Sequence, residues 1–296
     1  MAFVQQHTLR APAHFEGVGI HSGRGVRVQV RPSAVDTGIS FIRTDITDRD
    51  NRLRARADAV CDTRLGTVIG NGAGVTVSTI EHLMAALAAF GIDNAVVELD
   101  ESEIPIMDGS AAPFVRLLDR VGRRPQGAPR RFLEVLEPIA VAEGEKRVKL
   151  IPAAAFEVAF EITFPSQAIG RQSVDLVIDE QIFRDQLADC RTFGFAQEVD
   201  ALRAAGLARG GSLDNVVVIQ GDGILNPEGL RRPDEFVRHK VVDAIGDLYL
   251  LGAPLLGRYE GVRAGHAMNN ALARAVIAAP SAWRMVSVGQ ELARAV

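Results

Sequence analysis

Residues 24–31, RGVRVQVR, alternate with period two, so that Val26, Val28 and Val30 share one face and Arg27, Gln29 and Arg31 the other. That is the pattern of a half-buried strand. Runs of similar strand character follow at NAVVELD, KRVKLIP, FEVAFEITF, NVVVIQ and GRYEGVRAG. Between them the apolar spacing lengthens to the helical 3.6 period, which predicts helices over 78–90, 111–121, 179–188 and 235–251 and another after Asn270. Strands and helices mixed in this way predict an α+β fold. The segment 123–131, RRPQGAPRR, has two prolines, one glycine and no apolar period, which reads as a linker. We therefore expect two domains, over 1–125 and 130–296, each with several strands and about two helices. No sequence repeat is legible.

Two of these helices carry chemistry-bearing side chains. In STIEHLMAALAAFG, Ile80, Leu83, Met84 and Leu87 form one stripe while His82 points away from it, among Ala85, Ala86 and Ala89. Such a helix is apolar nearly all round and predicts burial on both sides, where a histidine needs a partner. His82 is then either a core histidine satisfied by a backbone carbonyl or a ligand. Glu81 is either a reactive carboxylate or the third position of a capping box opened by Ser78. In EFVRHKVVDAIGDLYLL, Val241, Val242, Ile245, Leu248 and Tyr249 form the core stripe, and His239, Lys240, Asp243 and Asp247 gather opposite. His239 and Asp243, four residues apart, lie one above the other and suit two ligands of one metal. A solvated polar face with a weak Lys240–Asp243 pair is the alternative. The stripe ends in Leu250 and Leu251 rather than in charge, which favours the floor of a cleft.

Two histidines and an aspartate make an open three-ligand set suited to Zn2+ and hydrolysis, with Glu81 beside it as the carboxylate to take a proton. The third group, GHAMNN, sets His266 at a strand-to-helix junction, where it either acts or merely caps the turn. The glycine-rich GVGIHSGRG around His21 lacks the Lys-Ser/Thr ending of a phosphate loop.

Composition narrows the field. The chain has 296 residues, 47% hydrophobic and 24% charged, with 33 Lys+Arg against 37 Asp+Glu. No run of five like charges occurs, so a nucleic-acid partner is not expected. Nor is there a stretch of about 18 uncharged apolar residues or a signal-peptide core, so we expect no transmembrane segment and a cytoplasmic protein. Two cysteines, Cys61 and Cys190, give neither a disulfide framework nor a structural zinc knot. Any metal must rest on His and carboxylate.

Taken together, STIEHLMAAL, EIPIMDGSAAPF, RTFGF, DEFVRHKVVDAIGDLYLLG and GHAMNN resemble the bacterial UDP-3-O-acyl-N-acetylglucosamine deacetylases, in the family's order and spacing. The resemblance starts at TLRAPAHFEGVGIHSG and runs almost to the C-terminus. It implies zinc-dependent removal of the acetyl group from UDP-3-O-acyl-N-acetylglucosamine, a committed step of lipid A synthesis. It also implies two similar domains, each a mixed sheet packed with two helices, with the active site in the seam between them.

Carried over by position, the resemblance makes His82, His239 and Asp243 the zinc ligands and Glu81 the general base. Thr192 becomes the polarising threonine, Lys240 the catalytic-site lysine, and His266 the general acid oriented by Asp247. Arg263 is implied to meet the UDP diphosphate and His21 to border the site. In DTRLGT, Gly66 stands where some relatives carry cysteine, so a cysteine ligand is excluded. An insertion of the second domain, here near 193–218, is implied to form a passage for the acyl chain, with Phe193, Val199, Leu202, Leu207 and Gly211 as lining. A monomer is expected. A non-catalytic nucleotide-sugar binding protein and a zinc amidase for another acetylated sugar are the competing readings, separated by metal content and by substrate comparison.

Overall fold

The computed structural model describes residues 3–289. Among them, six α-helices and several mixed sheets make an α+β fold. A five-stranded sheet runs in the order Ala13–Val18, Gly25–Pro32, Ala95–Leu99, Ile39–Arg43, Arg52–Arg54. Its second strand buries Val26, Val28 and Val30, as the alternation predicts. A seven-stranded sheet is organised around Leu255–Val262, which pairs antiparallel with Lys146–Ile151 and parallel with both Phe156–Thr163 and Arg131–Val135.

The helices are α1 (Glu81–Ala89), α2 (Ala112–Val121), α3 (Glu180–Ile182, continued by a π-helical turn at Phe183–Leu187), α4 (Ala196–Ala204), α5 (Glu235–Tyr249) and α6 (His266–Ala278). Helix α6 packs on strands Ile139–Glu143 and Lys146–Ile151, and α5 on Phe156–Thr163 and Arg171–Val177. Helix α1 meets α2 on one side and packs along α5 on the other. This α1–α5 contact explains why both helices are buried nearly all round. In α1 every residue from Glu81 to Leu87 is buried, and in α5 every residue except Arg238 and Lys240. Gly246 permits the approach, because a Cβ there would run into the backbone of Glu81.

Three expectations are corrected. The segment 123–131 is not a structureless linker: Arg123–Pro129 is a strand paired antiparallel with Gln5–Leu9. Its prolines are tolerated because a two-stranded ribbon leaves each strand one unpaired edge. The last long helix begins at His266 itself rather than after Asn270, with the extended Gly265 before it. Ser78 caps nothing: Ile80 is the residue before α1, Glu81 is the first helical position, and the Ser78 hydroxyl bonds to the Ser102 carbonyl instead.

Candidate metal centre

Helix α1 starts where it does because Thr79 is left-handed (φ 58°), which breaks the extended run through Val77. Buried Glu103 stabilises that break, accepting from the Thr79 hydroxyl (3.2 Å) and from the backbone N–H groups of His21 and Ser22 (both 2.8 Å). The turn delivers Glu81 and His82 to the α1–α5 seam. From the facing helix, His239 and Asp243 project one turn apart into the same space. The ligand atoms of His82, His239 and Asp243 all lie within 4.8 Å of one another, and all three residues are buried.

The hydrogen-bond inventory shows what that space lacks. His239 Nδ1 lies 3.1 Å from the Cys190 carbonyl oxygen, which only accepts, so Nδ1 carries the proton. Burial pulls the His239 pKa down to about 3, so the ring is neutral and its Nε2 presents a lone pair. That lone pair faces Asp243 Oδ1 at 3.3 Å, and His82 Nε2 approaches the same oxygen at 3.5 Å. Asp243 Oδ1 is buried and has no hydrogen-bond partner. Its other oxygen accepts from Lys240 Nζ at 2.8 Å. Burial disfavours the Asp243 carboxylate, but the neighbouring cations Lys240 and His266 outweigh it and hold the pKa well below the usual range. An orphaned carboxylate oxygen turned toward an imidazole lone pair is costly unless a cation sits between them. The residues fit a divalent metal held by two nitrogens and one oxygen. The Lys240–Asp243 pair is thus part of a buried site, not a solvated face.

Glu81 and His266 flank these ligands. The nearest approaches of His266 Nε2 to Glu81 Oε1 and to Asp243 Oδ2 are both 3.8 Å. Burial raises the Glu81 pKa against the pull of His266 and His82. For His266, burial alone would lower the pKa, but the carboxylates of Asp247, Asp243 and Glu81 prevail and push it up to about 9. Asp247 Oδ2 lies 2.9 Å from His266 Nδ1 and accepts from Asn269 Nδ2, also at 2.9 Å. With Nδ1–H so engaged, Nε2 faces the cleft. One carboxylate and one imidazole stand on the two sides of a common space, each with its pKa shifted toward the protonated form.

These groups open into a cavity of about 650 Å³, also lined by His21, Thr192, Phe193, Lys240 and Gly211. Thr192 is fixed by backbone bonds to Gly109 and Val217 (both 2.8 Å). The preceding Arg191, 1% exposed, grips Glu235 at the start of α5 and also pairs with Glu228. Val199 and Leu202 of α4 line the cavity, whereas Leu207 does not. Arg263 stands apart from the lining, left-handed (φ 51°) and ion-paired with exposed Glu145. Cys61 is exposed and Cys190 buried, both as free thiols.

Sequence reading passed over Thr67, which is buried in the middle of the site, and Lys146, which lines the cavity. A hydroxyl directly after Gly66, in a segment whose glycine was already of interest, was the available signal for the first. Among the described residues, no helix is long and apolar enough to cross a membrane.

The sequence model of the LpxC family, described as UDP-3-O-acyl N-acetylglycosamine deacetylase, matches residues 6–278. A UDP-3-O-acyl-N-acetylglucosamine deacetylase of Phenylobacterium zucineum is 67% identical over 291 residues, 98% of this chain and 99% of the relative. Proteins of the same name from Syntrophotalea carbinolica and Acidithiobacillus ferrooxidans are 46% and 47% identical, covering 97% and 98% of this chain and 92% and 95% of their own.

Proposed function

Because the chain belongs to the UDP-3-O-acyl-N-acetylglucosamine deacetylase family, we propose that it hydrolyses the acetamide of UDP-3-O-acyl-N-acetylglucosamine to free amine and acetate, using zinc held by His82, His239 and Asp243. This is the committed step of lipid A biosynthesis. The observation that carries the zinc assignment is the buried Asp243 Oδ1, which lacks a hydrogen bond and faces the neutral His239. When bound, a zinc ion polarises the acetyl carbonyl and makes a water nucleophilic at neutral pH.

The remaining work belongs to side chains. Glu81 takes a proton from the attacking water, whose oxygen bonds to the acetyl carbon. His266 delivers a proton from Nε2 to the sugar nitrogen as the C–N bond breaks, since an amine leaves poorly unprotonated. Asp247 orients that imidazole. Thr192, at the cavity wall, is the polarising donor to the carbonyl oxygen. Lys240 occupies one Asp243 oxygen and leaves the other for the metal. Arg263 meets the diphosphate after exchanging its exposed partner Glu145 for phosphate, and His21, Phe193 and Gly211 border the sugar and acyl chain. The reading has two α/β halves, 1–125 and 130–296, meeting along α1 and α5. It has the enzyme act in the cytoplasm as a monomer.

The test is acetate release from UDP-3-O-acyl-N-acetylglucosamine before and after chelation. Activity should vanish with the metal and return with zinc. Activity that survives complete metal removal would overturn the reading. A second expectation concerns the acyl chain, for which Phe193, Val199, Leu202, Leu213 and Val216 supply an apolar wall. Each buried methylene contributes up to about 0.8 kcal/mol, so a chain enclosed even in part dominates recognition. UDP-N-acetylglucosamine, lacking it, should show a strongly depressed kcat/KM, and equal rates on the two substrates would remove the passage from the account.

A further inference from the structure

We infer that Thr67 is a positioning residue that aims both the Glu81 carboxylate and, through Asp247, the His266 imidazole, an inference that rests on the deacetylase reading above. Thr67 is 2% exposed and follows Gly66 in the loop that leads to strand Val68–Gly70. Its backbone N–H donates to Glu81 Oε2 at 3.0 Å, and its hydroxyl donates to Asp247 Oδ1 at 2.5 Å. Glu81 lies on α1 and Asp247 on α5, so one residue spans the seam and fixes the two carboxylates relative to each other.

The donor count gives the argument its force. Asp247 Oδ2 is taken by His266 and Asn269, and the Asn269 amide is itself anchored by the Tyr259 hydroxyl at 2.7 Å. Oδ1 has the Thr67 hydroxyl. Removing that hydroxyl leaves a buried carboxylate oxygen unpaired, and the carboxyl plane is then free to rotate and carry the His266 ring with it. Thr67 Oγ1 also lies 3.4 Å from His266 Nδ1, so the vacated position adjoins the imidazole. The backbone bond to Glu81 survives any side-chain change. The side chain therefore tunes the acid side of the reaction, while the backbone holds the base.

Thr67→Val removes the hydroxyl and keeps the shape, Thr67→Ser keeps the hydroxyl and removes the methyl, and Thr67→Ala removes both. Outer partners of this kind typically change activity by about 10–100-fold. We expect Thr67→Val and Thr67→Ala to lose kcat on that scale, with KM and bound zinc near wild type, and Thr67→Ser to recover most of the rate. If the valine variant does not fold, the serine–alanine difference still isolates the hydroxyl. Wild-type kcat in the valine or alanine variant at full metal content would overturn the inference. So would a serine variant as impaired as alanine, because that would assign the effect to methyl packing. A wild-type protein that releases no acetate fails the deacetylase reading instead, before any variant is compared.

Discussion

Replacing His239 with Ala is expected to strip zinc and deacetylase activity from the protein together. The three candidate ligand groups come from two separate helices, and the His239 imidazole is one of their two nitrogens. Its loss leaves His82 and Asp243, a pair too few for an open catalytic site. Since losing only an outer partner costs about 10–100-fold in metal affinity or activity, losing a ligand should exceed that. Metal content and acetate release, measured on protein purified without added zinc, decide the matter. Full zinc occupancy in His239→Ala would contradict the ligand set, and a metal-free variant with normal turnover would contradict the metal's role.

The sequence already carried much of this, for an identifiable reason. Periodicity reports which face of one element is buried. Strand Gly25–Pro32 and helices α1 and α5 could therefore be read within narrow limits, together with the grouping of His239, Lys240, Asp243 and Asp247 on one side of a helix. It does not report what a second element brings. Whether His82 met Asp243 or a backbone carbonyl depended on the α1–α5 crossing, set by Gly246 against Glu81, and nothing in either helix alone encodes it. The same blindness hid Thr67, whose partners lie 14 and 180 residues away.

Local signals failed where a tertiary partner outbid them. Ser78 and Glu81 had the spacing of a capping box, but left-handed Thr79 and buried Glu103 moved the helix start to Glu81. The prolines of 123–131 signalled a linker because they bar an interior strand, but they do not bar a ribbon with a free edge. At α6 the expected start, after Asn270, falls five residues late. His266 is in fact the first residue of the helix, and its ring is turned toward Asp247 of α5.

Glu81→Gln should keep its zinc and lose about 10²–10⁴-fold in kcat, the usual worth of a proton-transferring group. The loss should come without the stability change a helix cap would cause, because Glu81 is the first helical residue and caps nothing. The pH profile should expose its partner. Glu81 works ionised, and burial raises its pKa, so turnover climbs as pH rises through that value. His266 works protonated, and its pKa near 9 means that turnover falls as pH rises through the imidazolium's loss. The two conditions together give a bell. A cation held beside these groups would oppose positive charge on His266 and favour the Glu81 carboxylate, shifting both limbs toward acid. In His266→Ala the acidic limb should persist at reduced kcat and the alkaline limb should be lost or altered. Lys240 also titrates on that side, its pKa raised because burial is outweighed by Asp243, so wild type alone does not assign the limb. An unchanged alkaline limb at near-normal turnover in His266→Ala would leave the imidazole a packing residue and require another donor for the departing nitrogen.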